Sequence, residues 1–312
     1  MRIVAALGGN ALVRRGDPIS AETQRENIAG AVRSLVPLLA EHELVLTHGN
    51  GPQIGMLLLE SEHSTVAPPY PLDVLGAESE GMIGYMLEQA ILCERPELRI
   101  VTLLTQTVVA ADDPAFLQPT KPVGPLYDAA IARYLARERG FVVAPDTGGY
   151  RRVVPSPEPL RLLEERPLRL LVDDGVVVIA SGGGGVPVTL DDAGRPTGVE
   201  GVVDKDLAAV VLARAVAADL LLLLTDVEGV YSDFGTDGAQ LLRSLSAEDA
   251  RALVAGGSLA GGSMRPKVEA AVRFADLGGA TCICQLDQAA AAVAGERGTR
   301  VAAATSSAAR EP

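Results

Sequence analysis

The sequence predicts an α/β protein whose largely parallel sheet is covered by helices on both faces. Short runs of Val, Ile and Leu alternate along the 312 residues with longer segments in which apolar residues recur at helical spacing. The strand-like runs are apolar throughout and do not alternate with polar residues, which is typical of strands buried on both faces. Strands that alternate with helices form a parallel sheet between helical layers.

The predicted strands share a high content of Val, Ile and Leu and end at Gly, Pro or polar residues. They lie at 2–7, 43–47, 99–109, 141–146, 175–181, 219–225, 281–286 and 300–305. The predicted helices share apolar residues spaced three and four apart, as in Met82, Ile83, Met86 and Leu87. They lie at 21–40, 75–93, 127–139, 205–217, 247–255 and 266–277.

The stretch 110–160 interrupts this alternation because it is rich in proline. It also carries Lys121 and the pair Arg151-Arg152. A long irregular segment in a compact domain is usually functional or disordered, and the basic residues favour a function. We therefore expect a single domain over 1–312 with a small protruding subdomain at about 112–160. The polar end at 306–312 is expected to be a mobile tail.

Composition excludes several classes of protein. The formal net charge of -13 opposes binding to nucleic acid or to an anionic membrane, and no apolar run reaches the roughly 18 residues of a membrane helix. A strand-like run begins at residue 2, so we expect no signal peptide. The three cysteines lack metal-ligand spacing, and we expect free thiols in a reducing cytoplasm. Three scattered histidines predict no metal cluster.

Lysine is rare in this chain, at three residues against twenty-four arginines. Lys121, Lys205 and Lys267 each lie in a short segment rich in Gly, Pro or Asp. A compact ammonium on a flexible stem can follow a moving phosphoryl group, whereas a guanidinium imposes a fixed fork. The three lysines therefore indicate a site for transferable negative charge. Chance survival on solvated faces is the alternative for any one of them.

Four predicted strands run directly into turns rich in glycine or polar residues. These turns are Gly8-Gly9-Asn10, Gly49-Asn50-Gly51, Gly182 to Gly185, and Thr225-Asp226. Ligands of open α/β sheets bind at the carboxyl ends of the strands, where glycines let backbone N–H groups approach an anion. One such turn alone would be a tight connection, but four that converge favour an anion site. The chain has no Walker A sequence.

Lys205 lies between Asp204 and Asp206 at the start of a predicted helix, and Lys267 follows Pro266 at the start of another. In the functional interpretation, Asp206 fixes the neighbouring lysines in place. An exposed charge cluster at a helix start is the alternative for Asp204-Lys205-Asp206.

Taken together, these segments resemble the amino acid kinase family, and within it the carbamate kinases. The general motifs are Leu7 to Leu12, Thr47 to Gln53, Asp204-Lys205-Asp206, Leu224 to Val227, and Gly262-Ser263-Met264 with Pro266-Lys267. The more specific motifs are Pro119 to Pro125 and Arg151 to Pro157, which fall in the segment where carbamate kinases carry a protruding substrate-covering subdomain. The resemblance extends to about residue 305.

The resemblance implies a three-layer α/β/α fold, a homodimer, and reversible phosphoryl transfer between carbamoyl phosphate with MgADP and carbamate with MgATP. It implies that Lys205 and Lys267 neutralise the transferring group, that Asp206 orients them, and that Lys121 contacts carbamoyl phosphate. Oxygen atoms of the small substrate would be held by Gly8, Gly9, Asn10, Gly49, Asn50, Gly51 and Arg152, with Arg151 as the alternative arginine. ATP or ADP would lie near Thr225, Asp226, Val227, Tyr231, Gly262, Ser263 and Met264. Mg²⁺ would arrive with the nucleotide, so no protein metal site is expected.

Two residues depart from the expected pattern: Tyr150 stands in place of tryptophan, and Arg265 adds a cation beside Lys267. Arg265 either alters nucleotide affinity or points outward. Two alternative functions remain. One is another kinase of the family acting on acetylglutamate, aspartate or UMP, and the other is a non-catalytic sensor of nucleotide or carbamoyl phosphate. A supply of ATP from the breakdown of arginine-derived citrulline or another ureido compound is the expected physiological role.

Overall fold

The computed structural model describes residues 1–14, 17–146, 148–257, 259 and 263–303, with Asn10 described by its backbone alone. The predicted tail at 306–312 lies outside these residues. The helices are α1 Ala21–Glu41, α2 Gly51–Glu62, α3 Leu72–Glu94, α4 Ala129–Arg139, α5 Glu165–Asp173, α6 Lys205–Ala215, α7 Ala247–Ala255, α8 Met264–Asp276 and α9 Ala289–Val293. The first strands are β1 Arg2–Leu7, β2 Glu43–His48, β3 Ile100–Leu103, β4 Gln106–Val108, β5 Lys121–Tyr127, β6 Val143–Asp146, β7 Gly149–Val154 and β8 Arg161–Leu162. The remaining strands are β9 Val177–Ala180, β10 Val186–Leu190, β11 Pro196–Gly198, β12 Leu220–Thr225, β13 Tyr231–Ser232, β14 Gln240–Leu241, β15 Ser244–Ser246, β16 Ala280–Gln285 and β17 Thr299–Ala302.

An eight-stranded sheet forms the centre of the fold, in the order β15-β17-β16-β12-β1-β2-β9-β3. Its strand pairs are parallel except for β16 with β17. The prediction of a largely parallel sheet is confirmed.

Each face of this sheet is covered by helices because the side chains of its strands alternate between two apolar layers. Val4 and Ala6 of β1 pack with α5, α6, α7 and α8. Ile3, Ala5 and Leu7 pack with α1, α3 and α9. All five β1 residues are fully buried. This arrangement is the predicted three-layer α/β/α fold.

Three smaller sheets flank the central one. β11-β10-β4-β8 form a four-stranded sheet, β13-β14 a two-stranded one, and β5-β7-β6 an antiparallel sheet. The last lies within the predicted insert, together with α4. Whether 112–160 behaves as a separate subdomain stays a prediction.

One predicted strand is corrected by the structure. The run 99–109 is two strands in different sheets, with Ile100–Leu103 at the edge of the central sheet and Gln106–Val108 in the four-stranded sheet. The break occurs at Leu104 and Thr105. The backbone N–H of Thr105 donates to the carboxyl group of Glu80 on α3 and so turns away from a strand neighbour.

Three helices were not predicted: the five-residue α9, and the longer α2 and α5, which carry glycine or proline near their start. α2 begins at Gly51-Pro52, where proline is tolerated because the first-turn N–H groups have no partner within the helix. α5 has Pro167 at its third residue. In both cases glycine or proline obscured the helical periodicity.

Candidate active site

The turns after β1, β2, β9 and β12 meet at one edge of the central sheet, around a cleft of about 840 Å³. These four strands are neighbours and run parallel, so their carboxyl ends lie side by side. The cleft is lined from these turns by Gly8, Gly9, Gly49, Asn50, Gly51, Gly183, Leu224, Thr225 and Asp226. The structure therefore brings the four predicted turns together.

Asp206 holds two lysines at the floor of the cleft. Its Oδ1 accepts a hydrogen bond from Lys205 Nζ at 2.5 Å, and its Oδ2 accepts one from Lys267 Nζ at 3.0 Å. Asp206 and Lys267 are buried at 4% exposure each. Lys205 and Asp206 begin α6, whereas Lys267 lies in the first turn of α8, so Asp206 joins the ends of two helices.

The charges of this cluster depend on one another. Burial disfavours the ionised form of Asp206, but the ammonium groups of Lys205 and Lys267 outweigh it and lower the pKa of Asp206 to about 2. Burial, reinforced by the charge of Lys205, lowers the pKa of Lys267. The carboxylate thus stays ionised and holds two cations side by side, with a net positive charge facing the cleft.

Lys121 approaches this cluster from the insert. Its Nζ donates to Asp204 Oδ2 at 2.7 Å. The other oxygen of Asp204 accepts the backbone N–H groups of Asp206 and Leu207 and so caps α6. One carboxylate therefore connects strand β5 of the insert to the start of the helix that carries Lys205. Asp204 was not among the predicted site residues, although an Asp at a helix start is a recognisable capping signal.

Gly183 brings the turn after β9 close to the turn after β2. It has φ of +65°, a left-handed conformation that favours glycine. A Cβ atom at Gly183 would lie 2.1 Å from Asn50 Nδ2, so any side chain there would displace Asn50.

The predicted nucleotide residues divide into two groups. Thr225, Asp226 and Ser263 line the cleft, whereas Val227, Tyr231 and Met264 do not. The hydroxyl of Tyr231 donates to Glu228 Oε2 at 3.3 Å, away from the cleft. Gly262 and the side chain of Asn10 lie outside the described part of the chain.

The model of the amino acid kinase family matches residues 1–285. The chain belongs to the amino acid kinase family.

Carbamate kinases are among the relatives of the chain within this family. The carbamate kinase of Pyrococcus furiosus is 48% identical over 310 residues, covering 96% of this chain and 98% of the relative. That of Haemophilus influenzae is 45% identical over 303 residues, covering 96% of each. The structure of the Giardia lamblia carbamate kinase bound to AMP-PNP is 38% identical with a TM-score of 0.89, covering 97% of this chain and 98% of that one. Family membership makes the chain a phosphotransferase with ATP or ADP as a substrate.

Arg151 and Arg152, the paired arginines of the insert, do not line the cleft. The guanidinium carbon of Arg152 lies 4.0 Å from the centre of the Phe141 ring, and its Nη2 is 3.3 Å from Glu200 Oε2. Arg151 Nε lies 3.1 Å from Asp146 Oδ2. The predicted contact of Arg152 with substrate therefore stays a prediction.

Several residues that line the cleft were not predicted from the sequence. They come mainly from α1, from the segment after β1, and from the end of β16 and the segment that follows it: Arg14, Asn27, Gly30, Ser34, Gln285 and Asp287. The signal of Asn27, Gly30 and Ser34 was weak because α1 carries them between apolar residues that explained the periodicity. The one marker was Asn27, which is one of only three asparagines.

The two residues that depart from the family pattern, Tyr150 and Arg265, both lie outside the cleft lining. Tyr150 lies on β7 of the insert, opposite Tyr127 of β5. Arg265 is 54% exposed and pairs with Glu269 one helical turn away, at 2.8 Å. The structure thus has Arg265 paired on the surface of α8.

Within the described residues, no group of three or more His, Cys, Asp and Glu side chains is arranged to hold a metal ion. Across the same residues, none of the helices has both the length and the apolar character needed to cross a membrane.

Proposed function

We propose that the protein is a carbamate kinase, which moves a phosphoryl group reversibly between carbamoyl phosphate with MgADP and carbamate with MgATP. The carbamate kinases that resemble it do so over nearly the full length of the chain. The observation that carries the proposal is the cluster in which Asp206 holds the ammonium groups of Lys205 and Lys267 at the cleft floor.

The reaction needs charge stabilisation more than proton transfer. A terminal oxygen of the ADP β-phosphate forms a bond to phosphorus while the bond from phosphorus to the carbamoyl oxygen breaks, and carbamate leaves as an anion. Negative charge spreads over the oxygens of the transferring group, so cations fixed beforehand lower the barrier. Lys205 and Lys267 would supply that charge without a covalent enzyme intermediate, and Lys121 would contact carbamoyl phosphate.

The order of the strands supports a division of the cleft into two ends. Gly49, Asn50, Gly51 and Gly183 follow β2 and β9, on the side of the insert and Lys121. Thr225 and Asp226 follow β12 on the other side of β1, near Ser263. We assign carbamoyl phosphate to the first end and the adenine nucleotide to the second, with the turn Gly8-Gly9 between them. Mg²⁺ would be held by the nucleotide phosphates and water.

Three further features belong to the proposal. The protein works as a homodimer, acts in the cytoplasm, and makes ATP during the breakdown of arginine-derived citrulline or another ureido compound. Carbamoyl phosphate is a high-energy donor and carbamate is unstable, which favours the direction of ATP synthesis. The buried free thiols of Cys282 and Cys284 suit a reducing compartment.

The test is ATP formation by the purified protein from carbamoyl phosphate and MgADP. We expect Lys205→Ala to lose at least about 100-fold in kcat, as removal of one transition-state donor typically does, with little change in thermal stability. Arg195→Ala is the matched control, because Arg195 is an exposed cation remote from the cleft.

Acetylglutamate, aspartate and UMP are tested separately as acceptors from MgATP. Failure with carbamoyl phosphate in a folded, ADP-binding protein would sink the proposal. Reaction with one of these acceptors would then identify another kinase of the family, and reaction with none would favour a sensor.

A further inference from the structure

Helix α3 carries two adjacent buried polar side chains that lie behind the turns at the small-substrate end of the cleft. Ser79 and Glu80 are exposed by 0% and 2%. A buried carboxyl group without a cation is costly, by several kcal/mol when it is ionised. Neither residue lines the cleft, so the chemistry proposed above does not use them.

Ser79 holds the turn after β2. Its Oγ accepts a hydrogen bond from Asn50 Nδ2 at 2.8 Å and donates one to the carbonyl of Gly76 at 2.7 Å. The side-chain amide of Asn50 is thereby fixed to the backbone of α3 through one hydroxyl group.

Glu80 holds the turn after β9 through Thr105. The carboxyl oxygen Oε2 of Glu80 accepts the N–H of Thr105 at 2.9 Å. Thr105 Oγ1 then accepts the N–H of Ser181 at 3.0 Å, and its carbonyl accepts the N–H of Val186 at 2.8 Å. Thr105 therefore holds both ends of the turn Ser181 to Gly185.

This turn has a backbone that needs support. Ser181 has φ of +56°, and Gly183, Gly184 and Gly185 also have positive φ. A residue other than glycine in this region costs of order 1 kcal/mol or more and persists only when its surroundings hold it. A Cβ at Gly182 would lie 2.4 Å from His48 Nε2 and 3.2 Å from Glu80 Cγ, so both side chains pack directly against the turn.

Burial favours the neutral forms of both Glu80 and His48 beside this turn. Burial raises the pKa of Glu80, with a smaller contribution from Glu164, although the Thr105 N–H opposes the shift. Burial also lowers the pKa of His48 to about 4. His48 Nδ1 donates to the carbonyl of Gly49, which leaves Nε2 as an acceptor against the turn.

We propose that Ser79 and Glu80 are positioning residues for the small substrate: they fix the spacing between the turns that carry Asn50 and Gly183. Consecutive residues of one rigid helix hold the two turns, so the turns keep a constant separation. The inference rests on the proposed function for its kinetic part, since it assigns this end of the cleft to carbamoyl phosphate.

The kinetic test compares Glu80→Ala and Ser79→Ala with Glu80→Gln. The alanine variants remove the acceptor for Thr105 or for Asn50, and we expect the KM for carbamoyl phosphate to rise about 10-fold while the KM for ADP stays within about twofold. Glu80→Gln keeps a neutral carbonyl acceptor and should retain both values. Glu78→Ala is the matched control, because Glu78 is an exposed glutamate on the same helix.

A second measurement does not depend on activity. Hydrogen exchange at the amides of Ser181 and Val186 should quicken about 10-fold in Glu80→Ala and stay unchanged in Glu80→Gln and Glu78→Ala. If Glu80→Ala does not fold, Ser79→Ala with its KM ratio still tests the proposal.

Unchanged exchange and KM in the alanine variants, or an equal rise in both KM values, would overturn the proposal. If the wild-type protein makes no ATP but the exchange pattern appears, the proposed function fails and the support of the turns stands. If the wild-type protein is active and the pattern is missing, only the support fails.

Discussion

Two buried carboxyl groups, Asp206 and Glu80, lie on opposite faces of the central sheet, and their pKa values are shifted in opposite directions. Asp206 belongs to α6, which packs on one face, and Glu80 belongs to α3, which packs on the other. Burial favours protonation of both. Two ammonium groups reverse this effect at Asp206 and bring its pKa to about 2, whereas the Thr105 N–H only moderates it at Glu80.

The comparison separates two tasks at one cleft. The α6 side gathers charge where phosphoryl transfer is proposed, and the α3 side keeps the glycine turns in place through hydrogen bonds of Ser79 and of Glu80, whose ionised form is disfavoured by burial. A charged support would compete with the anionic substrate for the lysines, because electrostatic attraction is weakly screened in a buried site. The neighbours of a carboxyl group, more than its burial, therefore decide which task it serves.

The sharpest test changes each carboxyl group to the corresponding amide. Asp206→Asn leaves the buried Lys267 and the partly buried Lys205 without the carboxylate that they share, so we expect a loss of about 3–5 kcal/mol in the free energy of unfolding and of about 100- to 1000-fold in kcat. Glu80→Gln should leave kcat nearly unchanged and should not lower the free energy of unfolding at pH 7. Denaturant unfolding and ATP formation measure the two effects, and equal losses in the two variants would contradict the comparison.

Gly183→Ala disturbs the glycine turn that α3 supports. The added methyl group must displace Asn50, and the φ of +65° is unfavourable to alanine. We expect the KM for carbamoyl phosphate to rise about 10- to 100-fold, from a strain of about 1–3 kcal/mol. Gly140→Ala is the matched control, because Gly140 has φ of +67° but open space around its Cβ position. A similar KM for both variants would argue against a role of the contact with Asn50.

The pH dependence of stability distinguishes the two carboxyl groups in the folded protein. The pKa of Glu80 lies above its ordinary value of 4.5, so the folded state keeps a proton that the unfolded chain loses. The free energy of unfolding should therefore fall as the pH rises from about 4.5 towards the folded pKa, by up to about 1.4 kcal/mol per pH unit. Glu80→Gln should lack this contribution. Parallel pH profiles for the two proteins would show that Glu80 ionises normally.

The smallest expected effect concerns the link to the insert. Asp204→Asn keeps the cap of α6, since Asn caps helices as well as Asp, but it weakens the hold on Lys121. Lys121 is 38% exposed, and such pairs contribute about 0.2–1 kcal/mol. We expect the KM for carbamoyl phosphate to fall by about 1.4- to 5-fold. Asp128→Asn is the control, because Asp128 caps α4; an equal fall there would exclude the Lys121 contact as the cause.

Most of the fold could be predicted because its strands are uniformly apolar and its helices strongly periodic. The exceptions depend on contacts distant in sequence. The strand 99–109 is interrupted at Thr105 by a carboxyl group 25 residues earlier, which no local pattern contains. The reversed direction of β17 likewise depends on its pairing with β16.

The candidate site was predictable where its residues were rare or conformationally special, as for Lys205, Lys267 and the glycine turns. The orientation of Arg152 was harder to predict. A strand places its side chains on alternate faces, and the sequence does not show whether Arg151 or Arg152 faces the substrate. Ser79 and Glu80 gave no signal at all. They lie in a helix between apolar residues, and only the packed structure shows what they touch.

The scarcity of lysine has a practical consequence for chemical labelling. Apart from the amino terminus, a reagent that acylates primary amines meets three side chains in this protein, and all three line the cleft. The side chain of Lys121 is 38% exposed, against 14% for Lys205 and 5% for Lys267. An ordinary amine reagent therefore becomes a reporter of cleft occupancy, with Lys121 as its first target and a bound anionic substrate as its protector.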